Sequence, residues 1–342
     1  MNGGDGPNSY ARNSSNQRNG ATTALTMIEE AIPKELDLKQ HFPSKSGEPF
    51  RIADLGCSVG PNTFLLVGAT IEAVKLKYQY CEFQAFFNDV ASNDFNTLLR
   101  SHSWDDPDYF AAVVPGSFHG RLFPRVSLHF VLCFYSLQWM SRLPKEAITD
   151  ECSPAWNKGK ITCFGANRDV SAAFLRQFAV DIDSFLRARA EETVVGGLMA
   201  LVIPYQGGCS DQKPIFLVLF DLLEAVLSDM VILGRLDEIA VDSFNLPVYL
   251  PIADEFMTLV EENGSFSLVM LEPITVPKVA FDARVMSSGI RAIVEERMRS
   301  NFPSEIMDEI FDRTYADVNE SEIRHFVIEN LVPSLWGLQK EF

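Results

Sequence analysis

The sequence has no C-x-x-C pair and no compact cysteine cluster; its six cysteines fall singly at positions 57, 81, 133, 152, 163 and 209. Isolated thiols exclude a zinc knuckle and argue against a disulfide frame, and they fit a reduced, cytoplasmic protein. The five histidines show no ligand spacing such as H-x-x-x-H. No block of Lys and Arg stands out, and the formal net charge is −17. Such a field repels polyanions, so neither nucleic acid nor an anionic membrane is expected as a partner. An apolar leader of the signal-peptide kind is also missing. The most apolar stretch, Ile215 to Gly234, is interrupted by Asp221, Glu224 and Asp229. It reads as a buried amphipathic helix rather than a membrane span.

What is present is ample apolar material. Apolar residues make up 47% of 342, and the 22% that are charged are interspersed, so a sizeable core is expected. The first twenty residues, rich in Gly, Asn and Ser, read as a loop or flap leading into a helix over 21–31. Strands are expected at 50–55, 82–87, 109–114, 126–135, 198–203 and 266–275. A seventh is read at 325–331, where the pattern is also compatible with a helix. Helices are expected over 62–80, 94–100 and 171–192, the last ended by Gly196-Gly197. Strands alternating with helices specify an α/β fold, a mostly parallel sheet with helices on both faces. The helical stretches 205–263 and 282–319 exceed ordinary crossovers and read as one cap over the carboxyl edge of the sheet. The core is placed at about 32–140, 158–205, 264–280 and 320–342. Flap and cap take about 1–31, 141–157, 206–263 and 281–319.

The central motif is a strand, then D-x-G-x-x-x-G from Asp54 to Gly60, then a helix. Glycines there allow a tight turn and close approach of backbone to a ligand, and the helix presents unpaired N–H groups. A dinucleotide site would carry G-x-G-x-x-G around a pyrophosphate. Here an acid, Asp54, precedes the turn; it would repel a pyrophosphate and suits a cofactor bearing a sulfonium and an ammonium. Asp89 ends the second strand, where a carboxylate accepts hydrogen bonds from both ribose hydroxyls; the plainer reading is a cap on the next turn. Together the two acids favour an S-adenosylmethionine-dependent methyltransferase over a dehydrogenase. A hydrolase is the other class in view, through Ser117 and His119 in P-G-S-F-H-G. The spacing is not the G-x-S-x-G elbow, and Ser117 reads better as a turn residue meeting the ligand.

Several segments carry a more specific signal. M-N-G-G-D-G-P-N-S-Y-A-R-N-S-S-N-Q, A-D-L-G-C-S-V-G-P-N-T, F-F-N-D-V-A-S-N-D-F-N and P-G-S-F-H-G-R-L-F-P-R follow one another in this order. S-L-Q-W, W-N-K-G-K-I and D-S-F-N-L-P-V-Y come after them. Across essentially the whole chain, this resembles the plant SABATH methyltransferases. Members of that family methylate carboxylates of small acids (salicylate, benzoate, jasmonate, indole-acetate, loganate) or ring nitrogens of xanthine alkaloids. The resemblance implies a Rossmann-like class I methyltransferase core with an α-helical cap, usually as a homodimer.

Motif by motif, it implies cofactor contacts from Tyr10 and Ser14 of the flap, from Cys57 and Asn62, and from nearby Asp54. Asp89 and Val90 would hold the ribose and adenine, with Ser117 and Phe118 on the adenine side. Gln17 and Trp139 resemble the pair that grips the substrate carboxylate, with Tyr135 and Gln138 lining the same pocket. An optional magnesium ion is implied at Asn157, Asp242, Phe244 and Asn245. The plainer readings are core for Trp139, an exposed helix residue for Gln17, and a helix-capping turn for 242–245.

Gln17 favours O-methylation of a carboxylate, since the N-methylating members tend to lose it; methylation of a heteroaromatic nitrogen is the alternative. A non-catalytic cofactor-binding relative is a further one, though every expected anchor is present. The chain departs from the family at Gln138, where several members have Met or His. It departs also at Phe134 and Leu132, at Val90 in place of Leu, and at Asn2 in place of a common Lys. Relative to most members the sequence opens at the flap itself, without the leading segment they carry, and this bears on flap closure.

Overall fold

The computed structural model of the chain describes residues 1–38, 48–78, 82–102, 108–206, 215–274, 282–320 and 333–340. Five strands run parallel: β1 (Phe50–Leu55), β2 (Phe83–Asp89), β3 (Phe110–Pro115), β4 (Leu128–Phe134) and β5 (Thr193–Pro204). β6 (Phe266–Pro273) and β7 (Pro333–Lys340) complete one sheet in the order β3-β2-β1-β4-β5-β7-β6, with β7 antiparallel to both neighbours. The mostly parallel sheet read from the sequence is thus present. The expected seventh strand at 325–331 lies outside the described residues, and the observed one follows it.

Alternation along the strands divides the apolar residues between two cores. Ile52, Phe130, Leu132, Ala200 and Val202 face α2 (Ser15–Glu35) and α3 (Asn62–Lys77). Ala53, Val131, Cys133, Met199 and Leu201 face the other way and share a core with α6 (Arg168–Glu192). All seven residues of β4 are buried, as a central strand covered on both faces must be. Each Phe withdrawn completely from water contributes about 2–3 kcal/mol. Phe50, Phe130, Phe174 and Phe178 are among those so placed.

Two departures from the sequence reading have a clear physical cause in the packing. α2 begins at Ser15 and follows a single turn, α1 (Tyr10–Asn13), so the polar flap is largely helical. Ala21, Ala24, Leu25, Ile28 and Ile32 bury one face of α2, and that packing carries the helix back through its polar first turns. Gly196-Gly197 does not end α6; the helix passes directly into β5 at Thr193, and the glycine pair lies inside the strand. A side chain at 196 would meet the Asp37 carbonyl oxygen at 1.9 Å, so the pair marks a chain crossing rather than a helix stop. The start of α6 is set by Asn167, whose side chain accepts from the Val170 N–H at 2.9 Å, a cap that contributes about 1 kcal/mol.

The short helices α4 (Phe95–Arg100) and α5 (Lys145–Ile148) lie in loops between larger elements. α7 (Ile215–Ile232), α8 (Glu238–Ser243), α10 (Ala283–Met298) and α11 (Met307–Glu320) pack mainly on one another, while α9 (Ala253–Asn263) packs on α6 and β6. α1 rests on α10, and Asn2, where the family commonly has Lys, donates to the Glu295 carboxylate of α10 at 2.7 Å. No described helix is long and apolar enough to cross a membrane.

Candidate active site

Strand order reverses between β1 and β4, and their carboxyl ends open the crevice where such sheets bind ligands. From β1 the chain turns through Gly56, at φ +84°, and Ser58, at φ +54°. A Cβ on residue 56 would lie 2.1 Å from Ser136 Oγ, so only glycine fits between this turn and the end of β4. Ser58 and Tyr135 are both non-glycine residues in the left-handed region, conformations that surrounding structure must enforce and that gather at binding sites.

A polar crevice of about 380 Å³ sits on this turn, and Tyr10, Gln17, Asp54, Cys57, Ser58, Asn62, Thr63 and Tyr135 are among its lining residues. Asp54 is buried and accepts a short hydrogen bond from the Thr63 hydroxyl. Burial pushes its pKa up to about 7; the Thr63 bond opposes that shift and the charge of Asp89 adds to it. Among the described residues no cation pairs with Asp54. A buried acid with room beside it and no counter-ion is a place for a cationic group, and the crevice fits a cofactor carrying one. Asn62 donates to Ser14 Oγ at 3.1 Å and ties the flap to the turn.

The remaining expected cofactor residues lie outside the crevice lining, and of these Asp89 and Phe118 reach the turn. Asp89 accepts from the backbone N–H of Ser58 at 2.8 Å and of Val90 at 2.7 Å. Burial raises its pKa and these two N–H groups lower it. It therefore does cap the turn, and each carboxylate oxygen keeps a lone pair for a hydroxyl. Val90 is exposed. The Phe118 ring comes within 3.8 Å of the Cβ position of Gly56, whereas Ser117 is exposed.

A second, larger cleft adjoins the crevice, with roughly 850 Å³ of space between and above its walls, open to solvent on one side. Gln138, Trp139, Phe216, Leu219, Met286, Ile290 and Ile293 line it, so α7 and α10 supply much of its apolar wall. Tyr10, Gln17 and Tyr135 line both cavities. The Gln138 amide nitrogen donates to the Tyr135 carbonyl at 2.7 Å. A carbonyl only accepts, so that bond fixes the amide and leaves Gln138 Oε1 buried without a partner among the described residues. Gln17 Oε1 is likewise unpartnered. Trp139 is half-buried, and its carbonyl accepts from His119 Nε2 at 3.1 Å. Burial holds the His119 pKa below its ordinary value.

The four residues expected around magnesium come together, but not as an oxygen cradle. Asn157 Nδ2 donates to Thr162 O at 3.0 Å and to Asn245 Oδ1 at 2.6 Å. Turning that amide over would set two oxygens against each other. Asp242, the one carboxylate, accepts from the Gly159 N–H at 2.9 Å, with the Lys158 ammonium 3.7 Å away. The Phe244 side chain is buried against Phe302, with ring centroids 5.1 Å apart. Magnesium needs six oxygens in near-octahedral array. These residues, as arranged, do not fit it; they staple 157–162 to 242–246. Among the described residues no group of three or more His, Cys, Asp or Glu is placed to hold a metal.

Sequence reasoning did not single out Thr63, Ser136, Gly20, Arg189 or Glu192. Gly20 was detectable in principle, as a glycine beside an apolar helical pattern; the others act through tertiary contacts with no local signal.

Comparison with known proteins adds to this geometry. Residues 1–336 match a family described as SAM dependent carboxyl methyltransferase. Loganic acid O-methyltransferase of Catharanthus roseus is 40% identical, over 94% of this chain and 88% of the relative. Farnesoic acid carboxyl-O-methyltransferase of Arabidopsis thaliana is 38% identical, over 91% and 90%. A solved loganic acid methyltransferase with SAH superposes with a TM-score of 0.94 at 37% identity, covering 100% of this chain and 99% of that one.

Proposed function

The chain belongs to the SAM-dependent carboxyl methyltransferase family, and from that premise we propose that it esterifies a small carboxylic acid bearing a hydroxyl or N–H at a distance from its carboxylate. One observation carries the reading: the polar crevice and the apolar cleft share the wall of Tyr10, Gln17 and Tyr135. A donor bound in the crevice and an acceptor bound in the cleft meet at that shared border. Tyr10, Ser14, Asp54, Cys57 and Asn62 hold the cofactor from the crevice side, and Asp89, Val90, Ser117 and Phe118 from outside its lining. The Gln17 amide and the Trp139 indole N–H grip the acid's carboxylate.

S-adenosylmethionine, when bound, supplies a methyl group made electrophilic by its sulfonium. The chain's residues therefore orient the acid. A carboxyl group with a pKa near 4 is an anion at neutral pH and needs no base. In keeping with this, His119 is committed to a backbone carbonyl and is absent from the lining of either cavity. Holding the oxygen in line at roughly 3 Å is where rate enhancement arises. Gln138 offers the cleft an acceptor, which cannot bind a carboxylate and asks for a donor on the acid.

We extend the proposal to a cytoplasmic homodimer with neither nucleic acid nor membrane as partner. The net charge of −17 and the free thiols of Cys57, Cys133, Cys152 and Cys163 support the compartment and the excluded partners, while the dimer follows from the family resemblance alone. The test is incubation with methyl-labelled S-adenosylmethionine and a panel of acids, including loganic and farnesoic acids, followed by alkali. Label released by alkali identifies an ester. A base-stable product, formed with xanthines and not with acids, would overturn the reading.

A further inference from the structure

The loop from β3 to β4 carries Ser117 and Phe118 past the Gly56 turn, and two side chains from the far end of α6 hold it. Arg189 and Glu192 are both fully buried and pair through Nε and Oε2 at 2.8 Å. The remaining guanidinium nitrogens donate to the carbonyls of Phe118 at 2.9 Å and Gly120 at 3.0 Å. The other carboxylate oxygen of Glu192 accepts from the N–H groups of Leu122 at 2.5 Å and Phe123 at 2.9 Å. Four backbone groups of a six-residue stretch thus find their partners on one turn of one helix.

Stability alone does not explain this arrangement. A buried ion pair is commonly no better than two apolar side chains of equal volume, because desolvation cancels the attraction. A surface loop ordinarily satisfies its backbone with water. What the pair adds is geometry. A planar guanidinium fork and a carboxylate fix four points at once, which a lysine ammonium cannot do. The Phe185 ring packs under the guanidinium, 5.4 Å from its carbon, and meets the Phe118 ring edge-on at 6.1 Å. The pair therefore sets both the backbone and the ring of Phe118 against the turn.

We propose that Arg189 and Glu192 are positioning residues that set the affinity for the cofactor by holding the Phe118 loop against the Gly56 turn, without touching the cofactor themselves. The inference rests on the reading that this turn and loop receive S-adenosylmethionine.

Three proteins test it: the wild type, Arg189→Lys, and the double variant Arg189→Met/Glu192→Met, which removes both charges and leaves neither unpaired. Isothermal titration with S-adenosylhomocysteine gives cofactor-site affinity, and steady-state kinetics give KM for cofactor and acid separately. In both variants the S-adenosylhomocysteine Kd and the cofactor KM should rise on the order of tenfold, with the acid KM within about twofold of wild type. A merely structural role would lower the active fraction, and so kcat, and leave both KM values in place. That result, or wild-type affinity in the folded double variant, would overturn the proposal. Absence of S-adenosylhomocysteine binding by the wild type would instead sink the underlying reading, and the proposal with it.

Discussion

The Tyr135 hydroxyl occupies the space a side chain on residue 20 would need: a Cβ there would lie 1.7 Å from Tyr135 Oη. Tyr135 is itself held at φ +53°, so the ring cannot retreat without disturbing the wall that both cavities share. In a helix interior Gly→Ala ordinarily stabilises by about 1 kcal/mol. Here Gly20→Ala should lower kcat/KM by about tenfold or more while the protein stays folded. Adding Tyr135→Phe, which removes the clashing oxygen, should recover part of the loss. Full activity of the single variant would show that the contact is dispensable.

The acid Asp54 makes cofactor binding pH-dependent. Its native pKa of about 7 stands above an unfolded value near 4. The unliganded protein is thus favoured by this group below about pH 4, and that contribution is lost as pH rises through 7. A cationic ligand reverses the preference by stabilising the carboxylate. Binding of S-adenosylmethionine should release a proton near pH 6.5 and tighten toward pH 8. Calorimetry in two buffers of different ionisation enthalpy measures the proton, and Asp54→Asn should abolish it. Proton-neutral binding by the wild type would contradict this account.

Selectivity within the cleft should turn on Gln138. With Oε1 buried, unpartnered and fixed by the Tyr135 bond, the residue penalises acids that leave it unsatisfied. Leaving such a group without a partner costs about 1–3 kcal/mol. For two acids differing by one hydroxyl, Gln138→Leu should shrink the preference for the hydroxylated one by about tenfold. An unchanged ratio across such pairs would mean the cleft reads some other feature.

Much of this was legible in the sequence, and what was not has a common cause. The Asp54–Gly60 turn is a local event: an apolar strand, a glycine turn and a helix adjacent in the chain. Gln17 and Trp139 could be named from motifs, and both line the cleft. The glycine pair at 196–197 misled because its meaning is set by Asp37, far away in sequence. The Arg189–Glu192 pair was unreadable for the same reason: on a helix it looks like an ordinary surface pair, and only the loop at 118–123 makes it a buried one. The strand at 333–340 was missed because Pro333 and Gly337 break the pattern that marks a strand, and pairing on both sides supplies what propensity does not.

Metal removal should leave the enzyme intact. Asn157 turns its NH₂ toward Asn245 and Thr162, and Asp242 serves Gly159. Prolonged chelation followed by assay in metal-free buffer should keep kcat within about twofold, and added magnesium should not raise Tm. A rise in Tm that saturates with magnesium and disappears in Asp242→Asn would show that the staple opens to admit the ion.

The place of β7 has a consequence for how the protein is made. It lies between β5 and β6, yet it is synthesised after both. Until residues 333–340 leave the ribosome, β5 presents a bare, apolar edge and β6 has nothing to join it to the sheet. A nascent chain stalled before that point carries a nearly finished sheet with an open seam, the kind of edge that recruits strands from neighbouring chains. Chaperone dependence in the cell should therefore concentrate in the interval between the emergence of β6 and that of residues 333–340.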